Sequence, residues 1–256
     1  MSVEGKVVVI TGGASGVGRY IAGTFAEAGA RIAVADVAPM ARVRSEVEAF
    51  GAEFMTVPTD VRIEDDVEAL MGHVHDRYGR IDVVINNAGI VTHFPGGGKP
   101  PWPKIRDMED DFFENVMNTN LKGVFLATKH AVRYMEPQRS GHVINIGQGT
   151  LRPSTRTDNF GSCVYLTSKV AVRSFTANVA IEEREFGICI VSMGPGGALA
   201  PGLRGIWTED IDEKYRAGMA PLESIGNRYV LAAEAPMELS GHQITVSDGA
   251  LVVADD

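Results

Sequence analysis

VVVITGGASGVG, the stretch from Val7 to Gly18, decides how the rest of the chain is read. Val7, Val8, Val9 and Ile10 make an apolar run with no polar alternation, the pattern of a parallel strand covered on both faces. Gly12, Gly16 and Gly18 interrupt it, and Ile21, Ala22 and Phe25 then recur at helical spacing. The segment predicts a buried strand, a tight turn and a helix N-terminus. Glycine at such a turn permits positive φ, lets backbone N–H groups approach a pyrophosphate and allows tight helix-on-strand packing. Gly12, Ser15, Gly16, Val17 and Gly18 are therefore candidate cofactor contacts. The spacing is T-G-x-x-x-G-x-G rather than G-x-G-x-x-G, so a strand–helix turn that binds nothing is the competing reading.

Outward from this stretch, apolar runs alternate with helical stripes. Arg31 to Ala35 is a second strand ending at Asp36, where a carboxylate can accept hydrogen bonds from an adenosine ribose and repels a 2′-phosphate. NAD is accordingly expected over NADP, against the alternative that Asp36 only caps the turn before Pro39. Val43, Val47 and Phe50 mark a helix that Gly51 ends, and Phe54 to Pro58 is the third strand, followed by Asp60 and Val61 on the cofactor side. Val67, Leu70, Met71 and Val74 form a core stripe on the next helix. Ile81 to Ile85 is the fourth strand and runs into Asn86-Asn87-Ala88-Gly89, of which Asn87, Ala88 and Gly89 are placed in the same cleft as the glycine turn. His93 to Arg106 is a Gly/Pro-rich loop, read as a lid because it carries Trp102. One long helix is expected from Phe112 through Asn120 to Met135, ended by Pro137. His142 to Ile146 is the fifth strand, a helix opens at Tyr165 and closes at Gly187, and Ile188 to Ser192 is the sixth strand. Leu203 to Met219, with Trp207, reads as a second lid. A short helix includes Val230 to Ala233, and Gln243 to Val246 is the seventh strand. Strand–helix alternation throughout predicts a single α/β domain over residues 1–256, about seven mostly parallel strands with helices on both faces.

Composition narrows the function. With 256 residues, 45% hydrophobic and 22% charged, the chain has the balance of a soluble globular protein. Its net charge of -9 argues against nucleic acid and anionic membrane surfaces as partners. Cys163 and Cys189 are far apart and the six histidines are scattered, so neither a disulfide framework nor a metal site is expected. Met1 leads almost directly into the first strand, which leaves no room for a secretory leader and makes a cytoplasmic location the expectation.

Chemistry enters at Tyr165 and Lys169. Four residues apart, they share one helix face a turn from each other. A free phenol ionises near pH 10, so Tyr165 needs adjacent positive charge to act as a base at neutral pH, and Lys169 can supply it. TGGASGVG, Asp36, NNAG, Asn120 in NTNLKG, YLTSK and Gly194-Pro195-Gly196 together resemble the short-chain dehydrogenase/reductase family in order and spacing, over nearly the whole chain. The resemblance implies a doubly wound, Rossmann-type fold and hydride transfer between NAD and a secondary alcohol or its ketone. It implies Tyr165 as the acid/base and Lys169 as the group that binds the nicotinamide ribose and lowers the tyrosine pKa. Asn120 is implied as holder of a proton-relaying water, Pro195 and Gly196 as further cofactor contacts, and a homodimer or homotetramer as the assembly.

Three positions depart from the family pattern. The serine usual after the fifth strand is missing from Asn145-Ile146-Gly147-Gln148, and Gln148 can donate its amide N–H to a substrate oxygen instead. Thr150 or Ser154 is the alternative donor. Ala200 stands where a threonine often contacts the nicotinamide. Pro221 to Gly241 is short, and Ser247-Asp248-Gly249 replaces Asp-Gly-Gly, in regions that commonly form subunit contacts. The competing functional class is a nucleotide-binding sensor or scaffold without turnover. A reductase of acyl-carrier thioesters would require a basic patch for its acidic carrier, and the sequence shows none.

Overall fold

A computed structural model of the chain describes residues 3–90, 104–147, 163–194 and 222–254. Among these, eight strands form one sheet in the order β3-β2-β1-β4-β5-β6-β7-β8. In chain order they are β1 (Val7–Thr11), β2 (Arg31–Asp36), β3 (Phe54–Pro58), β4 (Val83–Asn86), β5 (Gly141–Asn145), β6 (Ile188–Met193), β7 (Gln243–Ser247) and β8 (Ala250–Val253). The helices are α1 (Gly16–Glu27), α2 (Ala41–Glu48), α3 (Glu64–Tyr78), α4 (Asp110–Met117), α5 (Gly123–Gln138), α6 (Cys163–Glu183) and α7 (Leu222–Ala232).

The apolar run that opens the chain explains the layering. Every residue of β1 is buried. Val8 and Ile10 face a core shared with Ile21 and Phe25 of α1 and Tyr229 of α7. Val7 and Val9 face the opposite core, with Leu70 and Met71 of α3 and Leu126 and Met135 of α5. Successive side chains thus enter two different cores, which removes the polar alternation that a one-sided strand would show.

The first three strands build outward from β1 on one side, and β4 starts the other half on its opposite side. In the register, Thr11 faces both Ala35 of β2 and Asn86 of β4. The chain therefore reverses its winding between β1 and β4, and a crevice opens at the carboxyl ends of these two strands.

Four details differ from the sequence reading. An eighth strand, β8, pairs antiparallel with β7 through a turn with positive φ at Asp248 (49°) and Gly249 (78°). The long helix is not continuous: between α4 and α5, residues Asn118–Lys122 form a π-helical turn. Pro137 does not end α5, which runs to Gln138 before Arg139 turns left-handed, because proline in the last turn forfeits one hydrogen bond without blocking the chain's path. Phe50 lies beyond α2 and is 52% exposed, so Val43 and Val47 alone carry that helix's buried stripe. Cys189 and Met193 lie in the core, and Cys163 is exposed. Among the described residues no helix is long and apolar enough to cross a membrane. The lid readings at His93 to Arg106 and Leu203 to Met219 lie largely or wholly outside the described residues, including Trp102, Trp207 and Leu203.

Candidate active site

The crevice is held together by side chains reaching between the loops. Asn87 donates from Nδ2 to the carbonyls of Thr11 (2.9 Å) and Gly12 (2.8 Å), tying the end of β4 to the glycine turn. Thr11 returns the contact, its Oγ1 accepting the N–H groups of Asn87 and Ala88. These ties bring backbone close to backbone. A Cβ on Gly12 would lie 2.7 Å from Ala88 Cα, and one on Gly18 would lie 2.4 Å from both Asn87 Nδ2 and the Gly12 carbonyl. Gly12 and Gly16 also have positive φ, at 66° and 54°. The glycines are thus required by loop packing and left-handed backbone, whatever they bind.

Asp36 sits at the end of β2, where its side chain caps neighbouring backbone. One carboxylate oxygen accepts the N–H of Ala14 in the glycine turn and the other the N–H of Ala38, each at 2.9 Å. The residue braces the turn while placing a negative charge beside it. Asp60 is different. Its carboxylate is engaged by Arg62, which holds its pKa below the usual range. Val61 packs on Gly123, where a Cβ would approach Val61 Cγ2 to 2.8 Å. Val61 thus packs on the first residue of α5, while the Asp60 side chain is held by its near neighbour Arg62.

Tyr165 and Lys169 lie on the buried face of α6. Tyr165 packs with Phe112, Val116 and Val164 in an apolar cluster, and this burial pushes its phenol up to about 12. Lys169 is 4% exposed; burial pulls its ammonium down to about 8. Its Nζ stands 5.9 Å from the centre of the Tyr165 ring and donates to the Ile146 carbonyl at 3.0 Å. Burial is the cause of both shifts, upward for the phenol and downward for the ammonium.

Asn120, fully buried in the π-turn, faces the same place. Its Oδ1 accepts the Ile90 N–H (2.8 Å), and its Nδ2 donates to the Ile90 carbonyl (2.9 Å) and to Ser168 Oγ (3.1 Å). Both amide hydrogens are spent on protein oxygens, so a relay water can meet only an oxygen of this residue. Gly89 completes the geometry. A Cβ there would lie 3.3 Å from Asn120 Oδ1 and 3.4 Å from Lys169 Nζ, so the missing side chain leaves the lysine reachable from the crevice.

Sequence reasoning missed two residues here: Thr11, which clamps the loops, and Ser168, which holds Asn120. A hydroxyl at a buried strand end and one inside Tyr-x-x-x-Lys were the available signals. Gln148, Thr150, Ser154, Pro195, Gly196 and Ala200 lie outside the described residues. Among the described residues, no group of three or more His, Cys, Asp or Glu is arranged to hold a metal ion.

The family model for short chain dehydrogenase matches residues 6–210, from the lysine before β1 to well past β6. The chain belongs to the short-chain dehydrogenase/reductase family. This dehydrogenase is 36% identical over 259 residues to secoisolariciresinol dehydrogenase of Forsythia intermedia, covering 96% of this chain and 89% of that one. It is 32% identical to (+)-borneol dehydrogenase 2 of Salvia officinalis, covering 96% and 89%. Among solved structures it resembles a 7α-hydroxysteroid dehydrogenase complexed with NADH and 7-oxo glycochenodeoxycholic acid, with a TM-score of 0.81, 28% identity and coverage of 97% and 95%. The chain is therefore an oxidoreductase with a Rossmann-type sheet, built for a nicotinamide cofactor and a small-molecule substrate. The site fits such a cofactor: glycines keep the loop ends bare, and a buried ammonium faces the crevice past Gly89.

Proposed function

We propose that the protein oxidises an apolar, ring-containing secondary alcohol with NAD, as one catalytic unit spanning residues 1–256. The observation that carries this reading is the placement of Tyr165, Lys169 and Asn120 on one buried surface beside Gly89, at the strand ends where the glycine turn lies. NAD, when bound, accepts the hydride and brings positive charge next to the phenol. Lys169 Nζ, which donates to the Ile146 carbonyl, would hold the ribose hydroxyls. Tyr165 Oη would take the alcohol proton as a phenolate, its own proton having first passed to solvent under the combined positive charge of Lys169 and the bound cofactor. Asn120 fixes the surface on which these groups stand. Gln148 is assigned the substrate oxygen, replacing the family's serine, with Thr150 or Ser154 as the alternative donor.

Asp36 supports NAD over NADP, because a 2′-phosphate would meet its carboxylate. Trp102, Trp207 and Leu203, together with relatives named for secoisolariciresinol, borneol and a hydroxysteroid, support the substrate class. Exposed Phe125 on α5 and Ile181 on α6, at 44% and 74%, support a homodimer or homotetramer. The cytoplasm is the proposed location, on the cysteine usage. A nucleotide-binding sensor without turnover is favoured by the lack of serine after β5 and by Ala200 in place of the usual threonine.

Absorbance of NADH across a panel of alcohols tests the proposal. Tyr165→Phe should lower kcat by roughly 10²-fold or more while nucleotide still binds, and Gln148→Ala should lower it less. Equal activity of Gln148→Ala and intact protein removes Gln148 from the site, a faster rate with NADP overturns the NAD assignment, and no response to any alcohol favours the sensor.

A further inference from the structure

We propose that Ser168 is a positioning residue, setting the helix that carries Tyr165 and Lys169 against the segment that follows β4. The inference rests on the reading of that pair as the reactive groups. Ser168 is fully buried on α6, three residues after Tyr165 and next to Lys169. Its Oγ donates to the Tyr165 carbonyl at 2.7 Å and accepts from Asn120 Nδ2 at 3.1 Å. Asn120 clasps Ile90 by two hydrogen bonds, and these fix which end of its amide is oxygen: only an acceptor can meet the Ile90 N–H, and only a donor its carbonyl. The result is a continuous chain, Tyr165 carbonyl to Ser168 to Asn120 to Ile90, joining the first turn of α6 to the residue after Gly89.

A serine bonded back to its own helix needs no second partner and slightly disfavours the helix. Here the hydroxyl also takes a hydrogen from another element, at a fully buried position. Removing it leaves Asn120 Nδ2 with one acceptor for two hydrogens, and a half-satisfied buried amide loses its fixed orientation. Ile90 adjoins the glycine that faces Lys169 Nζ, so this slack appears as misplacement between the nucleotide side of the crevice and the phenol, a fault to which rates are sensitive.

Amide hydrogen exchange of the nucleotide-free full chain tests the coupling directly. Ser168→Ala should speed exchange at the Ile90 N–H by about fivefold to tenfold, leaving the later turns of α6 unchanged. Ser168→Cys, which fills the same volume with a weak acceptor, should act in the same direction. In the steady state, kcat should fall about tenfold with KM for the nucleotide nearly unchanged, and adding Ser168→Ala to Asn120→Ala should lower kcat no further. Unaltered Ile90 exchange in Ser168→Ala, wild-type exchange in Ser168→Cys, or losses that multiply in the double variant overturn the proposal. If the intact protein turns over no alcohol, the functional reading fails by itself, and the exchange measurement still decides the role of Ser168.

Discussion

Lys169 is costly to the nucleotide-free protein. Burial lowers its pKa from 10.5 to about 8, so the unfolded chain binds the proton more tightly, and holding the charge inside costs roughly 3 kcal/mol at neutral pH. The sign follows from the direction of the shift. The penalty is full below about pH 8, shrinks as pH rises toward 10.5, and vanishes above it. Lys169→Met should therefore abolish turnover yet raise the free energy of unfolding of the nucleotide-free protein by up to ~3 kcal/mol at pH 7. That advantage should narrow between pH 8 and 10, as read from denaturant titrations at several pH values. A variant less stable than the parent at pH 7 would show that packing of the lysine stem outweighs desolvation of its head. Tyr229 offers a quieter case. Its hydroxyl is buried without a hydrogen-bond partner, so Tyr229→Phe should leave the melting temperature unchanged or raise it.

At the scale of elements, the two helices that flank the π-turn are joined where chemistry needs them. The widened turn carries Asn120 inward, and Gly123 lets the start of α5 press on Val61. Nothing in the apolar spacing from Phe112 to Met135 announced this break, because one extra residue in a turn leaves the stripes on either side looking regular. Asn120 was legible as a polar residue on a core-facing stripe; the turn that aims it was not. The glycine turn behaved differently. Its glycines were legible because no other residue tolerates both the positive φ at positions 12 and 16 and the contact at position 18. Gly18→Ala should cost about 1–3 kcal/mol through the overlap with Asn87 and Gly12, and it should weaken nucleotide binding along with stability. Calorimetry on the free and nucleotide-bound forms would separate the two effects.

Across the whole molecule, the parallel sheet could be read from runs such as Val7 to Ile10 and Ile188 to Ser192 because both faces of these strands are covered. β8 escaped notice for the complementary reason. Its residues are mostly exposed, so its short apolar run carries no pattern, and the Asp248-Gly249 pair that starts the hairpin is evident only once β7 is placed. This hairpin covers the edge of β7 and leaves its own strand as the sheet's border. Truncation after Ser247 should lower stability and unmask the β7 edge, and size-exclusion chromatography should then show association beyond that of the full chain. Spacing put Tyr165 and Lys169 on one side of a helix, while their roles were implied by the resemblance that the motifs carry together. The burial that shifts both groups is set by the packing around α6, which no spacing encodes.

With NAD as the proposed coenzyme, Asp36 would tie cofactor choice to construction. The same carboxylate that would turn away a phosphorylated ribose also anchors the N–H of Ala14 and so keeps the glycine turn in shape. Retargeting the enzyme to the other nicotinamide coenzyme by neutralising this residue would loosen the floor on which either coenzyme rests. A successful redesign must restore that anchor first, for instance with an asparagine oxygen, and only then add a cation for the extra phosphate.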